Sequence, residues 1–201
     1  GNKNYFLGKS VLKAVENINT VINKSLKNIE VSDQKKIDQI LINLDGTDNK
    51  KKLGANALLA VSLASAKAAA RSKKKELYKH LGKKFLLPKP LMNIINGGAH
   101  ADNNLRIQEF MIRPDSAKNF MDAIEKCFLV IQNLKKILLS KNLSTNVGDE
   151  GGFAPSINSN EEALEFVVDA IQKSGLKPGK DINICLDVAA NELLNDNGKY
   201  S

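Results

Sequence analysis

Apolar residues recur at helical spacing through the first part of the chain. Val11, Leu12, Val15, Ile18, Val21, Ile22 and Leu26 stand three or four positions apart, as one buried helix face requires. Ser32 is a candidate N-cap for a second helix carrying Ile37, Ile40, Leu41 and Leu44, and the run Asp45, Gly46, Thr47, Asp48 should break it. From Gly54 to Arg71 alanine and leucine dominate. Both favour helix, and small side chains on most faces allow close packing on several sides. A short helix around Leu77, Tyr78 and Leu81 ends an all-helical stretch.

The pattern changes at Pro88 and Pro90, which favour extended backbone through 91–96 up to Gly97 and Gly98. This places a boundary near residues 83–88 and divides the chain into 1–85 and 86–201. Ile107 to Ile112 predicts a second short strand, closed by Pro114. Helices are predicted over about 116–141 (Phe120, Ile124, Cys127, Phe128, Ile131, Leu134, Leu138) and about 160–174 (Ala163, Phe166, Val167, Ala170, Ile171), then a third strand from Ile182 to Asp187. Asn195 to Gly198 predicts a hairpin turn. The chain stops at Tyr200 and Ser201, where the return strand should begin, which suggests a truncated chain.

Composition narrows the function classes. The 201 residues carry a formal charge of +8, but only Arg71, Arg106 and Arg113 are arginine; aromatics are 5% and Trp is absent. Nucleic-acid sites favour arginine for bidentate contacts and aromatics for stacking, so the scattered lysines read as compositional drift and no nucleic-acid partner is expected. Cys127 and Cys185 suit buried thiols of a reducing compartment. No cysteine–histidine cluster has zinc spacing, no apolar run spans a membrane and the opening residues Gly-Asn-Lys-Asn-Tyr carry no signal peptide, so a cytoplasmic protein is expected.

The candidate chemistry lies at strand ends and on glycine-rich loops. Residues 146–152 read Asn-Val-Gly-Asp-Glu-Gly-Gly, placing Asp149 and Glu150 on a turn whose glycines should let a ligand come close. The turn follows an apolar stretch ending at Val147. His100 follows Asn-Gly-Gly-Ala. Glu109 sits in the apolar run Ile-Gln-Glu-Phe, where an acid needs a reason. Asp187 ends the third strand, where α/β barrels place ligand-binding groups. Singly, each has a plain structural explanation: a loop histidine bonded to backbone, an outward-facing edge acid, a turn cap or a solvated surface turn. His80 reads only as a surface helix residue. Three carboxylates and a histidine at such ends together suggest one polar site holding a divalent cation and an anionic substrate.

The residues that carry a family resemblance are Leu-Asp-Gly-Thr-Asp-Asn-Lys (44–50), Gly-Ala-Asn-Ala-Leu-Leu-Ala-Val-Ser-Leu-Ala (54–64), Met-Asn-Ile-Ile-Asn-Gly-Gly-Ala-His-Ala-Asp-Asn-Asn (92–104), Ile-Gln-Glu-Phe-Met-Ile-Arg-Pro (107–114), Asn-Val-Gly-Asp-Glu-Gly-Gly-Phe-Ala-Pro (146–155) and Leu-Asp-Val-Ala-Ala-Asn-Glu (186–192). In this order they resemble the enolase family, and Asp102, Asn103 and Asn104 resemble its bacterial members. The resemblance implies an α/β fold: the helical part of an N-terminal α+β domain, then the first part of a β/α (TIM-like) barrel opening strand, strand, helix, helix. It implies the Mg²⁺-dependent dehydration of 2-phosphoglycerate to phosphoenolpyruvate in glycolysis, and a homodimer or homo-octamer.

By resemblance, Glu150 matches the general acid that protonates the departing hydroxyl, and Glu109 its partner carboxylate. His100 matches the histidine of a loop that closes over substrate, Gln108 a substrate position, and Asp187 the first of three carboxylates holding Mg²⁺. Two Mg²⁺ ions and a lysine base offset the charge of the intermediate, a known property of enolase-superfamily sites rather than a reading of these residues. Elementary chemistry agrees with the acid: hydroxide leaves poorly without a proton, and a carboxylate at Glu109 should raise the pKa of Glu150. The family's mobile serine loop, the remaining metal ligands, the catalytic lysine and the phosphate-binding arginine match nothing here. The chain alone is therefore expected to be inactive, with an exposed barrel edge prone to association. Two alternatives are a superfamily relative acting on a sugar acid or a muconate, which would carry Lys-x-Lys and lack the Gly-Asp-Glu-Gly-Gly turn, and a non-catalytic scaffold on the same fold.

Overall fold

The computed structural model describes residues 3–200, which divide into two units, the first ending at Leu86 and the second beginning at Leu87. In the first unit the described residues form helices and turns. Leu12–Asn17 (α1) runs through a π-helical turn, Ile18–Ile22, into Asn23–Ser25. Gln34–Asp45 (α2), Ala55–Ser72 (α3) and Leu77–Leu81 (α4) follow. Ile22, Ile37, Leu41, Leu53, Ala57 and Leu58 form the core, with Ile18 and Leu26 packed partly against it; Val11, Leu12, Val15 and Val21, expected on the same buried face, are instead exposed.

The cap of α2 differs from expectation by one residue. Asp33 accepts from the backbone N–H of Lys36 at 3.1 Å, while the Ser32 hydroxyl turns to Glu30 Oε1 at 3.2 Å. An acid at this position satisfies an orphan N–H and meets the positive end of the helix dipole, which a hydroxyl does less well. Gly46 closes the helix in the left-handed conformation.

The second unit is a three-stranded antiparallel sheet backed by two helices. Met92–Asn96 (β1), Glu109–Arg113 (β2) and Asn183–Asp187 (β3) lie in the order β1-β2-β3; Phe120–Ser140 (α5) and Asn160–Lys173 (α6) intervene before β3. Strand, strand, helix, helix, strand is the order read from the sequence. Along β2 burial alternates: Phe110 and Ile112 are fully buried, while Glu109, Met111 and Arg113 occupy the other face. The buried face packs with Val130, Leu134 and Leu138 of α5 and Val167, Ala170 and Ile171 of α6.

Two boundaries shift. β2 begins at Glu109 rather than Ile107 because the backbone before it serves another loop: Gly97 N–H donates to Gln108 O at 2.9 Å and Gly98 N–H to Leu105 O at 2.8 Å. Helix α5 begins at Phe120 rather than 116, capped by Asn119, whose side chain accepts from Asp122 N–H at 2.9 Å. The 195–198 turn forms with a single bridge between Leu194 and Tyr200. Cys127 is fully buried, and burial pushes its thiol up to about 11. Cys185 is only half-buried, contrary to expectation, because it lies on the face of β3 opposite the helices, paired with Met111.

At one end of the sheet Arg113 grips Asp115 through two hydrogen bonds of 2.8 Å, Asn183 Nδ2 donates to the same carboxylate, and Lys89 Nζ donates to Asp115 O at 2.7 Å. The Arg113 and Asn183 hydrogen bonds hold the Asp115 carboxyl well below the ordinary carboxylate range. This network ties the chain before β1 to the ends of β2 and β3, leaving the opposite end of the sheet for other chemistry.

Candidate active site at the open end of the sheet

Because β2 runs against both neighbours, its first residue meets their last ones. Glu109 pairs with Asn96 of β1 on one side and with Asp187 of β3 on the other, so three polar residues stand in a row across the sheet end. The alternation that buries Phe110 turns Glu109 away from the core, which is why an acid is tolerated in so apolar a segment.

Two loops bring the other groups. After β1, Gly97 and Gly98 dock on the backbone of residues 105–108, and the chain turns through Gly98–His100. The 146–154 loop lies along the free edge of β1: Phe153 N–H donates to Ile94 O at 2.9 Å and Asn96 N–H donates to Phe153 O at 2.8 Å. Asp149 N–H reaches His100 O at 3.3 Å, joining the loops to each other. Val147, read as the end of an apolar stretch, is 62% exposed; it bridges Phe153 without entering the core.

The result is a compact trio. One ligand-type atom each from His100, Glu109 and Glu150 lies within 4.8 Å of the other two. His100 Nδ1 sits 3.5 Å from Glu109 Oε1 without forming a hydrogen bond, and both side chains are mostly covered, at 21% and 16% exposure. Burial, then the charge of Asp187, then that of Glu150 push the Glu109 carboxyl above its ordinary value; His100 pulls the other way. The Glu150 charge is thus one of the groups that hold the Glu109 carboxyl up. Asp187 stands beside the trio, exposed, with Oδ1 accepting from Ala189 N–H at 3.0 Å. Gln108 is half-buried and its carbonyl anchors Gly97.

Chemically the donors fall into two groups. A hard divalent cation prefers oxygen ligands and is often held by one or two carboxylates with water and a substrate phosphate, so Asp187 suits Mg²⁺. An imidazole is a poor ligand for that ion, and the trio is better built to hold and move a proton.

Sequence reasoning missed Asn96 and Asn103. Asn96 is fully buried at the end of β1, and Asn103 Nδ2 donates to both Asn96 O (2.9 Å) and Pro155 O (3.1 Å). The available signal was a polar residue ending an apolar strand directly before a glycine pair.

Residues 84–201 match the family described as the C-terminal TIM barrel domain of enolase, and residues 1–81 match the enolase N-terminal domain. The chain is 61% identical over 202 residues to the protein named Enolase from Pelagibacter ubique (strain HTCC1062); the match covers 100% of this chain and 48% of that protein. The chain thus spans about half the length of the curated relative it matches. Among the described residues no helix is long and apolar enough to cross a membrane. With both domain descriptions matched in order and the strand, strand, helix, helix, strand succession present in the second unit, the chain belongs to the enolase family.

Proposed function

We propose that the protein carrying this chain is a cytoplasmic, glycolytic lyase that dehydrates 2-phosphoglycerate to phosphoenolpyruvate with Mg²⁺, as a homodimer or homo-octamer. The observation that supports this reading most is the convergence of His100, Glu109 and Glu150 within 4.8 Å beside Asp187. Bound Mg²⁺ would supply positive charge against the anionic substrate, with Asp187 among its ligands. Glu150 gives a proton to the departing hydroxyl, which leaves as water; the electron pair freed by removal of the proton alpha to the carboxylate forms the new double bond. Glu109 stands beside Glu150 as its partner carboxylate, its pKa raised by burial and by the charges of Asp187 and Glu150. His100 and Gln108 contact the substrate from the loop side. The base belongs to the part of the enzyme that these residues do not span, so the isolated 201-residue chain is inactive.

The test is phosphoenolpyruvate formation from 2-phosphoglycerate by the intact protein, with Mg²⁺ and again after chelation. Metal-dependent turnover supports the reading, and its absence in the presence of Mg²⁺ overturns it. Full turnover by the isolated 201 residues would overturn the division of labour.

A further inference from the structure

We propose that Asn96 is a positioning residue: its buried side-chain amide holds the turn that carries Glu150. The role of that turn rests on the functional reading above; the contact itself does not. Asn96 is fully buried, and its amide lies 3.2 Å from the backbone nitrogens of both Asp149 and Glu150. Two N–H groups aimed at one position require an acceptor, so the Asn96 oxygen faces the loop, accepting from Glu150 and sharing the Asp149 N–H with His100 O, while the Asn93 amide must present its own oxygen to the Asn96 nitrogen.

The neighbouring glycines make room for this contact. A Cβ at Gly148 would press into the Asn96 amide and lie 2.6 Å from His100 O; one at Gly152 would lie 2.6 Å from the Asn96 amide and 2.9 Å from Ile94 C. Those glycines, expected to admit a ligand, instead admit the Asn96 amide. The residue bearing the acid is itself exposed, so little side-chain packing fixes it. Asn96 is fixed in turn by two hydrogen bonds, its N–H to Phe153 O and its carbonyl from Asn103, and by its strand pairing with Glu109. The amide thereby links the strand end that faces Glu109 to the turn that presents Glu150.

Backbone amide exchange in the intact protein tests this, whether or not the protein turns over 2-phosphoglycerate. In the unaltered protein the Glu150 N–H should exchange roughly tenfold slower than in a free peptide, about what one net hydrogen bond contributes. Exchange at the free-peptide rate overturns the proposal. Asn96→Leu should release the Glu150 N–H, while Asp149 N–H, which also reaches His100 O, and Phe153 N–H, bonded to Ile94 O, stay protected. Asn96→Asp keeps the acceptor and should keep Glu150 protected. Equal loss in the aspartate and leucine variants overturns the proposal even if the leucine variant folds poorly. Where the intact protein is active, Asn96→Leu should lower kcat with KM little changed; an unchanged kcat with Glu150 N–H released would show that the contact positions nothing used in turnover.

Discussion

Glu109 and Asp187 are direct cross-strand partners at the end of an antiparallel pair, two carboxylates facing the same open end of the sheet. Like charges directly opposite each other are destabilising, and here burial adds to the effect by raising the Glu109 pKa. A carboxyl whose folded pKa lies above its unfolded value costs stability once pH rises past the ordinary 4.5 and through the folded value; below both it contributes nothing. Glu109→Gln is therefore expected to melt at a higher temperature than the parent protein near pH 7, with the gap closing near pH 3. A glutamine variant that is less stable at neutral pH would mean that Glu109 gains more from His100 than it loses to Asp187.

Glu150 should show the opposite balance of effects. It is exposed on its turn, and surface substitutions away from special features usually change stability by about 0.5 kcal/mol or less. A positioned proton donor, in contrast, contributes typically about 10²- to 10⁴-fold to rate. Glu150→Gln in the intact protein should lose turnover by that factor while its circular dichroism and melting temperature stay near the parent values. Unchanged turnover would remove Glu150 from the proton-donor role.

The contrast between these two acids shows what was legible in the sequence. Helical spacing marked Ile22, Ile37 and Leu41 as one core, because a 3.6-residue period leaves no other face to bury. The order of strands and helices was legible for the same reason. Element starts were less so: Ser32 and Asp33 are both good caps, and only the competing Glu30 contact decides between them. The β2 start was misplaced because Leu105, Arg106, Ile107 and Gln108 alternate apolar and polar as a strand does, but their carbonyls at 105 and 108 bond to Gly98 and Gly97. His100, Glu109 and Glu150 stood out as charges at unusual places, and the fold brings them together. Asn96 did not, because a buried amide carries no charge pattern and its partners are backbone groups over fifty residues away. The glycines around it were visible, but not what they make room for.

Gly152 gives a packing test of that arrangement. An added methyl group would sit 2.6 Å from the Asn96 amide and 2.9 Å from both Ile94 C and Ile95 N. Two of those three atoms belong to the β1 backbone, which cannot rotate aside as a side chain can. Gly152→Ala should therefore destabilise the protein by about 1–3 kcal/mol, the usual cost of overpacking. It should also lower turnover, since the loop must lift from β1. Denaturant unfolding and activity measured on the same sample would check both, and a neutral change in each would mean that the loop has slack.

In the first unit the pH-sensitive group is Asp45. Its buried carboxylate accepts from Thr47 N–H at 3.0 Å, from the Thr47 hydroxyl and from Leu53 N–H at 2.7 Å, closing the loop between α2 and α3. Burial alone would raise its pKa. The hydrogen bonds from Thr47 and Leu53, with the nearby charge of Lys50, outweigh that and leave it below the ordinary 3.8. A depressed carboxyl contributes stability that is fully present above the unfolded pKa and lost as pH falls through the folded one. Leu53 N–H protection, corrected for its intrinsic exchange rate, should thus hold near pH 5 and be lost only as pH falls below the ordinary 3.8. Asp45→Ala removes the acceptor at every pH, so its Leu53 N–H should be weakly protected throughout and its acid dependence flattened. If the parent and alanine variant lose protection together on acidification, the acid sensitivity of this unit lies elsewhere than in the carboxylate that joins its two longest helices.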